Sequence, residues 1–250
     1  MIKIKNYVKA DNLDEAYALY QKKSNVILGG MLWLKMQKKS VGTAIDLCNL
    51  GLDKIEETEN EFRIGAMATL RDLEKHSGLN MLTQGALSDS VKNIVGVQFR
   101  NLATVGGSVF SKFGFSDVLT VLAGIGAEIQ LHKAGRISID EFIAMPPVRD
   151  ILVNIIIPKK EIKVCYLSQR NISTDFPVLT CAVCCKDGKY RIAVGARPHK
   201  AEIIALDSVG ESTPEFIAEK LSFGSNLRAS AKYRKEICKV LVKRALSEVR

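Results

Sequence analysis

Two stretches restrict this chain more than any other: Val26-Ile27-Leu28-Gly29-Gly30, and Arg100-Asn101-Leu102-Ala103-Thr104-Val105-Gly106-Gly107-Ser108. In the first, an apolar run short enough to be a buried strand ends directly in two glycines. The second sets its glycines among small and hydroxyl side chains. Glycine tolerates positive φ and carries no Cβ, so successive N–H groups can converge on an anion or the backbone can approach a ligand closely. A pyrophosphate is the natural guest of such a turn. Neither stretch is G-x-G-x-x-G, and neither continues into Gly-Lys-Ser/Thr, so a Rossmann dehydrogenase and a P-loop nucleotide triphosphatase are both unsupported. Taken alone, each glycine pair is also ordinary loop punctuation.

At 250 residues, 47% apolar and 25% charged, the chain can bury a core as one large or two modest domains. No self-similar period marks a solenoid or propeller, and no apolar run approaches a membrane span. The opening reads as a short alternating strand rather than an export signal, which predicts a cytoplasmic chain. The six cysteines, Cys48, Cys165, Cys181, Cys184, Cys185 and Cys238, are then expected as reduced, buried thiols. Cys181-x-x-Cys184 has no second pair to complete a metal site, and no metal ligand set is predicted. The formal net charge is +9, with eight Lys or Arg against two Glu between Arg228 and Arg250. Tyr233, Ile237, Val240, Leu241 and Val249 fall on roughly one face there, so a basic amphipathic terminal helix is expected.

The periodicities predict strands at Ile2–Val8, Asn25–Leu28, Thr43–Asp46 and Phe62–Gly65, with helices at Leu13–Lys22 and from Thr69 to Glu74. A helix over Ala86–Val95 would carry Asp89 and Ser90 outward. Gln98–Ser111 reads as a small-residue loop, Ser116-Asp117 as the start of an apolar helix through Gly124, and Ile139–Phe142 as a turn. Strands at Glu128–His132 and Leu152–Ile157 close a first unit near residue 160. Strands at Val164–Ser168, Pro177–Lys186 and Tyr190–Ala196 follow, the last two joined at Asp187-Gly188, a hairpin signal. Helices at Pro214–Leu221 and Ser230–Val249 finish the chain.

In order, these segments resemble the flavoprotein, or medium, subunit of the molybdenum hydroxylases, the group of xanthine dehydrogenase and aerobic carbon monoxide dehydrogenase. Val26 to Trp33 is similar to the family's first FAD loop, usually Ala-Gly-Gly-Thr-like, and Arg100 to Ser108 to its second, Arg-Asn-x-Ala-Thr-Ile-Gly-Gly-Asn. Ser116-Asp117 resembles its Ser-Asp-Leu continuation. Gln169-Arg170 to Asp175-Phe176-Pro177 resembles the opening of its C-terminal domain, and Arg228 to Arg234 the start of its final helix.

The resemblance implies an α+β fold: a two-lobed FAD-binding domain of the vanillyl-alcohol oxidase type over 1–160, then a smaller α+β domain with an antiparallel sheet over 161–250. It implies FAD as cofactor. Val26, Ile27, Leu28, Gly29, Gly30, Met31, Leu32 and Trp33 would wrap its adenosine diphosphate portion. Ala103 lies in the second loop, whose Thr104, Gly106, Gly107 and Ser108 would hold the pyrophosphate through N–H and hydroxyl donors. Asp117 would bond the ribityl or adjoining polar groups, and Ile94 and Leu152 would be apolar walls, although plain core residues fit both positions as well. No catalytic base is implied. Met31 departs from the usual small hydroxyl residue, Ser108 from asparagine, and Ser168 from a lysine beside the isoalloxazine, a charge that Arg170 or Lys163 could replace.

The implied partners are a molybdopterin-containing large subunit and a 2Fe-2S small subunit, arranged as a dimer of heterotrimers, with NAD or another compound as electron acceptor. A stand-alone FAD oxidoreductase competes with this reading. So does a basic module for nucleic acid or an anionic membrane, although the aromatic residues do not interleave with the basic run as base-stacking platforms would.

Overall fold

The computed structural model describes residues 2–249; Met1 and Arg250, which end the two predicted units, lie outside them. The chain opens with β1 (Lys3–Lys9), α1 (Leu13–Tyr20), β2 (Val26–Leu28) and β3 (Ser40–Asp46). These strands form a small parallel sheet in the order β1-β3-β2. Asn12 starts α1 by accepting the Glu15 N–H at 2.9 Å, and Asp14 and Glu15 sit in the first turn, where the helix dipole favours negative charge.

Strands β4 (Ile55–Glu57) and β5 (Glu61–Gly65) then lead into a run of short helices: α2 (Leu70–Lys75), α3 (Ser77–Leu82), α4 (Ala86–Val91), α5 (Val97–Arg100), α6 (Val105–Phe110) and α7 (Asp117–Ile125). Next come β6 (Glu128–Leu131), β7 (Gly135–Ser138), α8 (Ile139–Ala144) and β8 (Leu152–Pro158), and the sheet closes antiparallel in the order β4-β5-β8-β6-β7. A third, antiparallel sheet follows. It runs β9 (Lys163–Gln169), β10 (Leu179–Lys186), β11 (Lys189–Gly195) and β12 (Glu202–Leu206), and two helices, α9 (Thr213–Lys220) and α10 (Ala231–Val249), complete the chain. The fold is α+β, as expected.

Strand β10 is covered on both faces, which explains its unbroken apolar sequence. Ala182 and Cys184 join the core around α7, while Leu179, Cys181 and Val183 pack with α9 and α10. The hairpin after it turns through Asp187 at φ +52° and Gly188 at φ +73°, as an Asp-Gly type I′ connection requires.

Several expectations fail for identifiable reasons. The supposed loop at Gln98–Ser111 contains α5 and α6, the second capped by Thr104. The Ile139–Phe142 turn is the start of α8, whose Ser138 and Glu141 form a capping box. Ser90 points inward and is fully buried, its hydroxyl donating to the Leu87 carbonyl at 2.7 Å. On α10 the buried stripe is Arg234, Cys238, Leu241, Val242, Ala245, Leu246 and Val249, whereas Tyr233 and Val240 are exposed. Arg234 can lie inside because the Val178, Gly224 and Ala229 carbonyls and the Asn226 side chain take its protons. Among the cysteines, Cys48 is exposed and Cys165 and Cys185 are half-buried; all six are free thiols. Burial pushes Cys165 up to about 11 and Cys238 up to about 12, so neither is a reactive thiolate.

Candidate functional site

The turn after β2 brings the two glycine pairs into contact. A Cβ at Gly30 would lie 1.7 Å from the Leu102 carbonyl oxygen, and one at Gly29 would lie 2.9 Å from Thr104 Oγ1. Both positions therefore need glycine for close approach rather than for a positive φ. Met31 follows at φ +62°, an unusual conformation for a residue with a side chain, and a 3₁₀ turn at Leu34–Met36 ends the segment.

Beside this contact runs one long cleft of about 710 Å³, within the roughly 300–1,000 Å³ of small-molecule sites. Every residue that the resemblance assigns to the cofactor by its loops and walls lines it, though Ser168 does not: Val26 to Trp33 from the first segment, Ile94 from the loop before α5, Ala103, Thr104, Gly106, Gly107 and Ser108 from the second, Asp117 at the start of α7, and Leu152 on β8. Arg100 supports one wall from behind. Buried, it pairs with Glu74 through Nε at 2.8 Å and Nη2 at 3.2 Å, and it donates to the Ile94 carbonyl at 3.1 Å. Burial works to raise the Glu74 carboxyl, but hydrogen bonds from Arg100 and Arg71 hold it below its ordinary 4.5.

The donors differ from the expected set. In the second segment the Val105 and Gly106 N–H groups go to the Ala68 and Ala66 carbonyls, both at 2.8 Å. Gly107 donates to Thr104 Oγ1 and Ser108 to the Thr104 carbonyl, both at 3.1 Å. These backbone protons are spent inside the chain. The Thr104 hydroxyl, which accepts from Gly107, keeps its own proton to donate. In the first segment the N–H groups of Gly30, Met31 and Leu32 have no acceptor among the described residues, so the free backbone donors sit there.

At one end of the cleft, the buried Asp117 accepts from the Tyr166 hydroxyl and from Arg170 Nη2 through the same oxygen. Burial pushes this carboxyl above its usual range, against the pull of Arg170 and Tyr166, and lifts the Tyr166 phenol well above 10.0. Arg170 lines the cleft and is tied to Asp117, while Lys163 does not line it. Sequence reasoning missed the aromatic cluster beside it. Trp33 stacks with Phe176 at 5.7 Å between centroids, Phe115 meets Phe176 edge-on at 4.5 Å, and Phe113 stacks on Phe115 at 5.0 Å. The only signal was three phenylalanines, at 113, 115 and 176, on two loops far apart in sequence. The other end holds Tyr20, Lys23, Lys39 and Arg149.

A long cleft with apolar walls, a glycine contact, free backbone donors and cations at one end suits a ligand that joins flat rings through phosphates. The family model for the FAD binding domain in molybdopterin dehydrogenase matches residues 2–160. This chain belongs to that family. As a member it is an FAD flavoprotein and part of an oxidoreductase. It is 27% identical to the protein YgfM of Escherichia coli K12 over 96% of this chain and 94% of that one. It is 25% identical to the glyceraldehyde dehydrogenase medium chain of Sulfolobus acidocaldarius over 98% of each. In structure it resembles a chain of the carbon monoxide dehydrogenase of Hydrogenophaga pseudoflava with a TM-score of 0.85, at 22% identity, covering 98% of this chain and 96% of that one.

The residues present fit FAD. Among the described residues no group of His, Cys, Asp and Glu could hold a metal ion, and no helix is long and apolar enough to cross a membrane.

Proposed function

We propose that this chain is the FAD-carrying electron-transfer subunit of a cytoplasmic molybdenum hydroxylase complex. It takes electrons from the iron–sulfur clusters of a small partner, which draws them from a molybdopterin-containing large subunit, and delivers them to NAD or another acceptor. The convergence of all the candidate residues on one cleft carries this reading, supported by the likeness to a medium chain along nearly the whole sequence. Bound there, FAD supplies the redox chemistry, and the protein supplies position, exclusion of water and local charge.

In this reading residues 1–160 form the FAD-binding domain and 161–250 the C-terminal domain, which contributes Arg170 and Phe176 to the cleft. The Gly30, Met31 and Leu32 N–H groups and the Thr104 hydroxyl bind the polar spine of the cofactor. Ile94 and Leu152 wall its rings, and Asp117 orients Arg170 and Tyr166 beneath it. The complex is a dimer of heterotrimers. Exposed basic side chains of α10, such as Lys232 and Arg244, would meet acidic partner surfaces and speed their association.

The test is to purify the chain with whatever it holds at native levels and to measure molybdenum, iron and flavin together. Molybdenum and iron copurifying with stoichiometric FAD is the expected result. A lone flavoprotein that oxidises a small substrate at the expense of oxygen would instead favour the stand-alone oxidoreductase.

A further inference from the structure

The third sheet ends on an unprotected edge. Strand β9 is its last strand and pairs with β10 alone among the described residues. Gln84 covers only the start of that edge. From a backbone held at φ +45°, its side chain donates to the Ile162 carbonyl and accepts the Val164 N–H, both at 2.9 Å. These bonds fix which groups point outward, because alternate residues of a strand turn their backbone groups to the same neighbour. Tyr166 and Ser168 therefore aim their N–H and C=O groups away from β10, and none of these has a partner among the described residues. Exposed strand edges are ordinarily blunted by charge or proline. Strand β1, at the edge of the first sheet, follows that rule with Lys3, Lys5 and Lys9, whereas β9 carries neither device from Val164 to Ser168.

An apolar surface continues from this edge. On α10, Lys235 reaches Glu219 of α9 at 2.8 Å, which turns that flank of the helix toward α9. At about 3.6 residues per turn, Tyr233, Ile237, Val240 and Arg244 lie on the opposite flank, with Glu248 beside them. Burial, and after it the charge of Glu248, raises the Cys165 thiol, so this flank lies along β9. Tyr233 and Val240 are exposed, while Ile237, Leu167 and Cys165 are half-buried. Asn171 Nδ2 donates to the Arg228 carbonyl at 3.1 Å, joining the loop after β9 to the loop before α10. Those loops present Ile172 and the fully exposed Leu227, and buried Arg234 holds the second one rigid through the Gly224 and Ala229 carbonyls and the Asn226 side chain. Apolar side chains held out beside an open strand edge mark an interaction surface.

Charge selects the occupant. On the exposed side of α10, Lys232, Lys243 and Arg244 have no ion pair among the described residues, whereas Glu236 is taken by Lys239 and only Glu248 balances them. A second copy of this chain would bring these cations against their own like, and an acidic partner would neutralise them. Resting on the multi-subunit reading above, we infer that the β9 edge receives an extended segment of a partner subunit as a fifth strand. The backbone groups of Tyr166 and Ser168 hold that segment, its apolar side chains at alternate positions pack toward Leu167, Tyr233 and Ile237, and acidic residues at its flank meet Arg244 and Lys232.

The test compares backbone hydrogen exchange in the complex purified at native levels with that in the isolated flavoprotein. The Tyr166 and Ser168 amides should exchange at least about tenfold more slowly in the complex, and those of Cys165 and Leu167, already paired with β10, should change little. A Leu227→Asp/Val240→Asp double variant, with wild-type FAD content and circular dichroism, should retain at most about a tenth of the molybdenum and iron per flavin, and Leu227→Met/Val240→Ile should retain nearly all of it. Unchanged exchange at Tyr166 and Ser168, or full molybdenum and iron in the Asp double variant, would overturn the inference. So would an isolated chain that dimerises until the same double variant disperses it, which would give the surface to a second copy. A wild-type chain that brings no molybdenum or iron with it would instead remove the multi-subunit reading on which the inference rests.

Discussion

The Asp117 end of the cleft is finished by the chain itself, whereas the Lys23 end is left open. At the first, a buried carboxylate, a phenol and a guanidinium satisfy one another beneath a set of mutually packed aromatic rings. At the second, Lys23 and Lys39 face solvent with no ion pair among the described residues, and between the two ends the backbone N–H groups of Gly30, Met31 and Leu32 have no acceptor among the described residues. A closed network keeps its shape whether or not a ligand is present, so it suits a ring that must be held in one position. An open, charged end gains most from a ligand that brings opposite charge. The closed end is therefore expected to weigh on fold stability and the open end on ligand binding.

That assignment breaks most visibly at Asp117. Replacing it with alanine leaves Arg170 unpaired at 7% side-chain exposure, and loss of one partner of a buried pair costs about 3–5 kcal/mol. Urea denaturation should show this loss in the flavin-free chain, whereas Lys23→Gln should leave the midpoint nearly unchanged. Equal effects at the two ends would erase the distinction.

The Glu74–Arg100 pair behind Ile94 belongs to the closed part and carries a pH signature. Glu74, held below its ordinary 4.5, contributes stability that is present above that value and is lost as pH falls through the lower folded-state value. Glu74→Gln should cost about 1.5–3 kcal/mol at neutral pH and should make the acid limb of the stability profile shallower. A profile parallel to wild type below pH 4.5 would show that the pair is not linked to folding.

At the junction of the two ends, Gly30→Ala drives a methyl group into the Leu102 carbonyl. The expected cost is about 1–3 kcal/mol, with a larger fall in flavin occupancy than in thermal stability, because the free donors move with the loop. Gly107→Ala meets only Thr104 Oγ1, at 3.0 Å, and should be milder by both measures. The smallest effect is expected at Met31, where glycine relieves the strain of φ +62° but loses side-chain contacts. The unfolding free energy of Met31→Gly, from urea denaturation, should then stay within about 1 kcal/mol of wild type.

Most of the fold was legible where apolar periodicity and turn chemistry agreed, as in β10, the Asp187-Gly188 hairpin and the Ser116-capped α7. It was illegible where tertiary contacts override local preference. Helix α6 carries Gly106 and Gly107, poor helix formers, in its first turn, yet a Cβ at Gly106 would strike the Ala66 carbonyl, so packing selects that glycine and the Thr104 cap sustains the helix. Strands β4, β7 and β12 are short edge strands or polar in sequence and carry little alternating signal. Ser90 reads as a surface residue until its hydroxyl finds the Leu87 carbonyl. The cleft residues were readable because both glycine pairs sit in motif-like segments. The aromatic cluster was not, since it is assembled from loops distant in sequence, nor was the lysine end, since Arg149 joins it from far along the chain and nothing in the sequence shows which lysines face the cleft.

The measurement closest to the central claim is the visible absorption spectrum of the folded chain after incubation with FAD and gel filtration, with chromatographic identification of the released cofactor. The account predicts flavin bands corresponding to about one FAD per chain. A protein that is demonstrably folded, remains colourless and releases no FAD would contradict it.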